Sequence, residues 1–379
     1  MFRSLLSKLS ILSAVIIGVC TCIADVFAVE VNDKLSAEGY FGVVYQWLDR
    51  KTGNFENHDR GAGIFEASLD FKPTEFDEFF VRGSVASRNA LNRVNPFELT
   101  PYADDLSDDL HHINNHSGFW RNNLMEAWYK RSFKFANNST LGVTLGLIDS
   151  TRYIDDNRFA NDEVTQFMNE VFVNSPTANL ISYDLGGALE FDKDPYSFRL
   201  VIMNSKSESG YHYNYVAGQF GIKVDTFLGE GNYRFYGFAS TEIDNERLYG
   251  FGVSFDQDLI KDKLGAFLRA GWQDDHPEVT YRSFVSFGLS YFMDLFGRKL
   301  TLGAGYSYLD GLKRADVSYT HALEAFLKIP LFEYKILKSN ITFDIQYMKD
   351  RMRDEEDRNR EGLIYGLRSV SYTHLTLPT

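Results

Sequence analysis

The chain is 379 residues long and carries 39 Lys and Arg against 52 Asp and Glu, a formal charge of −13. That balance excludes broad nucleic-acid binding, which depends on clustered cations. The 15% aromatic content, from 32 Phe, 22 Tyr and 4 Trp, excludes general disorder because that much apolar area calls for burial, and a single long apolar run excludes a polytopic helical membrane protein.

That run opens the chain. Residues 1–28 read as a secretory signal, with Arg3 and Lys8 as the basic end, Leu9 to Ile23 as the apolar stretch and Val26, Phe27 and Ala28 as the exit, so cleavage is expected after Ala28. Both cysteines, Cys20 and Cys22, fall inside it. The exported chain therefore carries no thiol, and neither a disulfide nor a thiolate metal site is expected. Val19 and Thr21 stand before the cysteines in place of the small residue a lipoprotein signal would want, so no lipid anchor is expected either.

From residue 35 onward the dominant period is two, in segments of about ten residues separated by turn-forming clusters, the pattern of transmembrane strands. Gly39, Phe41, Val43, Tyr45 and Trp47 form one face, and Glu38, Tyr40, Gly42, Val44 and Gln46 the other. Phe65, Ala67, Leu69 and Phe71 repeat it, as do Leu141, Val143, Leu145 and Leu147; then Tyr183, Leu185, Leu189 and Phe191; then Tyr196, Phe198, Leu200 and Ile202. The second half continues with Tyr249 to Phe255, Leu264 to Trp272, Val285 to Tyr291, Leu300 to Tyr308 and Ile341 to Tyr347. Aromatics at the ends of the apolar faces suit the headgroup level of a bilayer.

A soluble sandwich also alternates. Here, however, the second face is rich in glycine and charge (Arg234, Arg269, Arg282, Glu190, Asp344) and the first carries large aromatics on nearly every segment. The expected fold is all-β: a transmembrane antiparallel barrel of about sixteen strands in one domain, spanning 29–368. Tight links at Lys72-Pro73-Thr74, Ala136-Asn137-Asn138 and Asp192 to Pro195 suit the periplasmic side. Longer polar stretches at 88–121, 149–181, 273–280, 309–317 and 350–361 are expected outside or folded inward.

The stretch 149–181 is the informative one. Phe159, Phe167, Met168 and Phe172 stand among carboxylates and amides, which suits a constriction loop packed on the inner wall with Arg152, Asp155, Asp156, Arg158, Asp162 and Glu163 toward water. Glu126-Ala127-Trp128-Tyr129, Leu145 to Asp149, Asp156 to Glu163, Gln166 to Asn169 and Phe172-Val173-Asn174 resemble the carbohydrate-selective porins of the OprB type, densely over residues 122–176, with Gly362 to Arg368 similar to that family's closing strand. The resemblance implies a sixteen-stranded, sugar-permeable porin whose constriction is built partly by the inward loop.

If the apolar positions face lipid, the lumen receives Glu66, Asp70, Arg82, Glu126, Trp128, Lys130, Asp184, Glu190, Arg199, Arg234, Tyr236, Phe267, Arg269, Arg282, Glu324 and Asp344. Guanidinium–carboxylate pairs with interspersed aromatics suit polyols, which need planar donors, acceptors and a face for C–H surfaces. The solute-contacting set is therefore Arg152, Asp155, Asp156, Arg158, Asp162 and Glu163 from the loop, with Arg82, Glu126, Trp128, Arg234 and Arg269 from the wall. The expected function is passive diffusion of mono- or oligosaccharides across the outer membrane, with carbohydrate and outer-membrane lipid as partners, no nucleic acid, no cofactor and no enzymatic activity. A general porin and a secreted soluble sugar-binding β-protein are the alternatives; a monomer and a homotrimer both remain open.

Weaker constellations read blandly. His111, His112 and His116 with Asp104, Asp105, Asp108 and Asp109 make a polar loop in which a divalent ion is conceivable, but a solvated loop is the simpler reading and no metal is assigned. His321 near Ser307 or Ser318 has nothing to fix it as a catalytic set. The run Met348 to Glu361 reads as a solvated loop, and Ser369 to Thr379 as a non-native tail, because a barrel of this class is expected to close on an aromatic residue.

Overall fold

The computed structural model describes residues 34–103, 123–207, 210, 212–243, 246–295, 297–334, 337–353 and 358–373. The expected signal segment, the loop histidines and residues 374–379 lie outside the described residues.

Alternation at a period of two gives a strand two unlike faces, and a sheet built only of such strands must hide its unpaired edges. Closure does this. Sixteen antiparallel strands follow in chain order: β1 (Leu35–Thr52), β2 (Asp59–Phe71), β3 (Asp77–Ser87), β4 (Leu124–Lys134), β5 (Thr140–Ile148), β6 (Asp184–Lys193), β7 (Tyr196–Lys206) and β8 (His212–Asp225). The second half comprises β9 (Glu230–Ile243), β10 (Glu246–Ile260), β11 (Leu264–Gln273), β12 (Tyr281–Leu295), β13 (Arg298–Gly311), β14 (Val317–Tyr334), β15 (Leu337–Met352) and β16 (Arg360–Thr373). Each strand pairs with its sequence neighbours, and β1 pairs with β16 to complete the barrel. Every wall strand thus has hydrogen-bonding partners on both sides, the condition for crossing a bilayer with strands.

The apolar sets point outward, with Leu145, Leu185 and Phe251 exposed by 62%, 64% and 60% on the outer face. Gln46, Ser254, Ser286, Ser307 and Thr342 are buried toward the inside. Such a surface is costly in water and matched in lipid, where an outward arginine at mid-depth would cost about 2–4 kcal/mol. The connections after β2, β4, β6, β8 and β10 are short, whereas β3–β4 and β5–β6 take the two longest, so those two long connections share one rim.

Four expectations about the wall change. Tyr183, expected to lead the outer face of β6, precedes that strand with φ +62° and packs in an interior cluster beside Tyr40 and Met168. Arg282, expected in the lumen, is exposed: a bulge in β12 sets Tyr281 opposite Gly311 and Ser283 opposite Asp310, so Tyr281 turns inward instead. That single extra residue inverts the parity of everything before it. The supposed solvated run 348–361 is wall at both its ends, since β15 reaches Met352 and β16 begins at Arg360, with Asp350 fully buried. At the other end of β16, residues 369–373 continue the ladder past the expected boundary at Arg368, with Thr373 opposite Gly39 and Leu337.

Candidate functional site: the loop-crossed lumen

The connection 149–183 turns into the barrel at once. Asp149 accepts the amide of Thr151 at 3.0 Å to cap a short 3-10 turn (Ser150–Arg152), and Ser150 is fully buried. One helical turn, α1 (Glu170–Val173), follows further on, with the amide of Val171 donating to the capping Asn169 side chain. Phe159, Phe167, Met168 and Phe172 are all buried, as expected of a wall-packed loop. The rings of Phe167 and Phe172 lie 5.0 Å apart; both meet Phe267 edge-on, and Phe167 also meets Phe326 edge-on, a geometry worth roughly 0.5–1.5 kcal/mol per pair beyond area burial. Gly305 in β13 makes room for this packing, because a Cβ there would come within 2.8 Å of the Phe172 ring.

Polar staples from strands all around the barrel then hold the loop. Glu324 of β14 accepts the amides of Met168 and Asn169 at 2.5 and 2.9 Å, and Gln346 of β15 accepts from the Asn169 side chain at 3.1 Å. Arg368 of β16 donates to the carbonyls of Glu163 and Gln166. Gln219 of β8 accepts from the amide of Asp155. Because these anchors are distributed around the ring, the loop crosses the interior instead of lining one side.

A second connection enters with it. In 88–103, Leu91, Phe97, Leu99 and Tyr102 are buried, and the Pro101 carbonyl accepts from both Gln46 and Gln346 at 2.8 Å. Asp350 accepts the amide of Glu98. The two loops are tied by Glu170, which takes the amide and hydroxyl of Thr100 at 2.8 and 2.6 Å.

The residues expected to contact solute separate into three groups. In the first, buried Glu126 accepts from Arg82 at 2.6 Å, from Arg152 at 3.0 and 3.2 Å and from the Trp128 indole at 3.0 Å. Trp128 stacks on Phe80 with ring centres 4.9 Å apart, and the Arg152 guanidinium lies over both rings, 4.8 Å from Phe80 and 5.6 Å from Trp128. The Arg152 side chain remains 38% exposed, so this shelf presents a planar cation on an aromatic base. Gly146 permits it: with φ +146° it lies where a Cβ would meet the Ala127 carbonyl and the Trp128 backbone.

In the second group Asp256, buried on β10, holds Arg158 and Arg234 together, with Arg234 at 2.6 Å. Arg234 also pairs with Asp156 at 2.7 Å, and the Asp156 side chain is 54% exposed. The third group is structural. Asp155 and Arg269 were expected toward lumen water, but both are fully buried and joined at 2.7 Å. Arg269 donates also to the Phe172 carbonyl, and Asp155 accepts the amide of Ser175, so the pair locks two ends of the loop to β11. Asp162 caps its own turn through Val164 and Thr165. Glu163 is half-buried, and burial together with neighbouring Asp162 pushes its carboxyl up to about 7.

Asp256, Gln219, Gln346, Asp350 and Arg368 escaped the sequence-based set. All lie at inward positions of their strands, so parity carried the signal, but nothing in the sequence pairs them with loop amides.

The crossing loop contributes to the walls of two chambers. One of about 470 Å³ is bounded by Asp149, Glu163 and Asn174 of the loop and by Gln273 and Glu278 toward the long-connection rim. The other, about 330 Å³, lies by the β6–β7 turn at Asp194 and Pro195 and includes Asp156, Arg199, Lys223 and Arg234.

The closed sixteen-stranded antiparallel barrel has the architecture of outer-membrane porin structures. It is similar to the high-pH structure of Pseudomonas putida OprB, with a TM-score of 0.69 and 15% identity over 89% of this chain and 94% of that one. Salmonella typhi OmpF in complex with daunomycin superimposes with a TM-score of 0.52 at 9% identity, covering 90% of this chain and 100% of that one. No family model matches the sequence. The chain belongs to the family of an uncharacterized protein of Aquifex aeolicus (strain VF5), with which it shares 32% identity over 296 residues, 77% of this chain and 85% of the relative.

Proposed function

We propose that the protein is an outer-membrane porin through which carbohydrates diffuse passively. The supporting observation is the Arg152 shelf: a half-exposed guanidinium held by Glu126 above the stacked Phe80–Trp128 pair. A planar donor fork suits adjacent hydroxyls, and an aromatic face suits the C–H side of a pyranose. Each contact is weak alone, which lets a solute leave as readily as it enters. The likeness of the fold to OprB, and the density of OprB-like motifs over 122–176, support the same solute class.

Liposome swelling with glucose, a disaccharide, a neutral amino acid and phosphate tests this. Sugar is expected to enter faster than an amino acid of equal size. Rates ordered by size alone would leave a general porin.

A further inference from the structure

The two chambers differ in their charges. The one beside the β6–β7 turn mixes Asp156, Asp192 and Asp194 with Arg199, Lys223 and Arg234. The one toward the long-connection rim is bounded by five carboxylates, Glu98, Asp149, Glu163, Glu170 and Glu278, and by no lysine, arginine or histidine among the described residues. Two of the five have guanidinium groups behind them, Arg360 at 3.4 Å from Glu98 and Arg82 at 3.6 Å from Asp149. No ion pair joins Glu163 or Glu170 to a basic group among the described residues.

A second, independent feature points into the same space. Gln273, at the end of β11, is 1% exposed and lines this chamber. Its amide nitrogen donates to the Tyr281 carbonyl at 2.8 Å, which sets the amide's orientation. The Oε1 atom is then a buried acceptor with no partner, a state that costs about 1–3 kcal/mol unless a donor arrives. Acceptors of both kinds therefore line one space, anionic from the loops and neutral from the wall, an environment complementary to a donor-rich cation. A metal ion is a poor match, because no three acidic or histidine side chains come together as a cage among the described residues, and the volume of about 470 Å³ suits a molecule.

We propose that this chamber is a subsite for polyhydroxyl solutes that bear an ammonium group, amino sugars in chemical class. The ammonium is drawn to the Glu163 side and donates one of its N–H groups to Gln273 Oε1. Anions meet a repulsive chamber before they reach the Arg152 shelf. This inference rests on the porin reading and sharpens its substrate class.

The test uses the full chain in proteoliposomes, with efflux of glucosamine, glucose and gluconate measured chromatographically at about pH 7.5, where the Glu163 carboxyl is mostly ionised and an amine of this kind is still more than half protonated. Glucosamine is expected to leave at least about two-fold faster than glucose, the gain from one added opposite charge at several ångströms in a wet chamber, and gluconate slowest. Glu163→Gln and Gln273→Met should each bring the glucosamine-to-glucose ratio toward one. Equal rates for the two sugars, or faster gluconate, would overturn the proposal and leave the porin intact. A preference that survives both substitutions would overturn the assignment to this chamber. No efflux of any sugar would instead sink the porin reading. Should Glu163→Gln fail to fold, Gln273→Met still decides.

Discussion

Charged residues in this lumen do two jobs, and burial separates them. Asp155 and Arg269 are sealed together, so removing either leaves an unpaired buried charge, at a cost of about 3–5 kcal/mol. Arg269→Met is accordingly expected to lower the midpoint of thermal unfolding in detergent before any change in solute preference is seen. Arg152 and Arg158 are instead part-exposed over aromatic faces. Replacing both with Ala should reduce the preference for sugar over an equally sized amino acid more than it reduces total conductance; if sugar entry is untouched, selectivity belongs to wall residues such as Arg82, Arg234 and Trp128. Glu163 adds a pH dependence. Its carboxyl holds a proton up to about 7 against an ordinary 4.5, so it is mostly neutral at about pH 6 and charged at about pH 8. The groups around it are Asp162, Glu66 of β2, Arg82 of β3 and Arg368 of β16. Because the folded chain binds this proton more tightly than the unfolded one, the stability this group contributes falls as pH rises from 4.5 through about 7. Over the same upper range the potassium-over-chloride preference, read as a reversal potential across a bilayer, should rise by about two-fold and become flat in Glu163→Gln.

At the scale of elements, the loop 149–183 and the strands that bind it form one unit. Its apolar side chains fill the space left by Gly305 beside Phe267 and Phe326. Its amides are taken up by Glu324, and its carbonyls by Arg368 and Arg269. Deleting 153–170 should enlarge the single-channel conductance, because the segment that crosses the lumen is gone. The same deletion strips Glu324, Arg368 and Arg269 of partners, so the barrel should also unfold at lower temperature. Unchanged conductance would mean that the loop does not lie in the conducting path.

For the molecule as a whole, closure is the decisive interaction, since β1 and β16 come from opposite ends of the chain and pair over most of their lengths. Residues 369–373 supply the last rungs on both sides of β16, against Gly39 to Val43 and against Leu337 to Ile341. Truncation after Arg368 is expected to leave unpaired backbone within the wall and to lower the yield of folded barrel in detergent, measured by far-UV circular dichroism and protease resistance. Equal yield would support the reading of Ser369 to Thr379 as an appended tail without a structural role.

Much of this architecture follows from local pattern. A side-chain period of two, repeated in about sixteen segments, is enough to specify strands, their outward faces and closure, because each is a consequence of keeping backbone groups paired in lipid. The mixed composition of 149–181 likewise requires that its aromatics find a wall. Parity reasoning fails where one residue is inserted, as at Arg282 in β12, or where φ turns positive, as at Tyr183, since neither event leaves a mark in the alternation itself. Nor does alternation reveal that 88–103 enters the lumen, or which inward side chains are sealed and which stay wet. Asp155 and Asp156 are adjacent in the chain and alike in chemistry, yet one is fully buried against Arg269 and the other is exposed beside Arg234. That difference arises because their partners lie on different strands of the wall, contacts more than seventy residues apart that exist only once the barrel has closed around the loop.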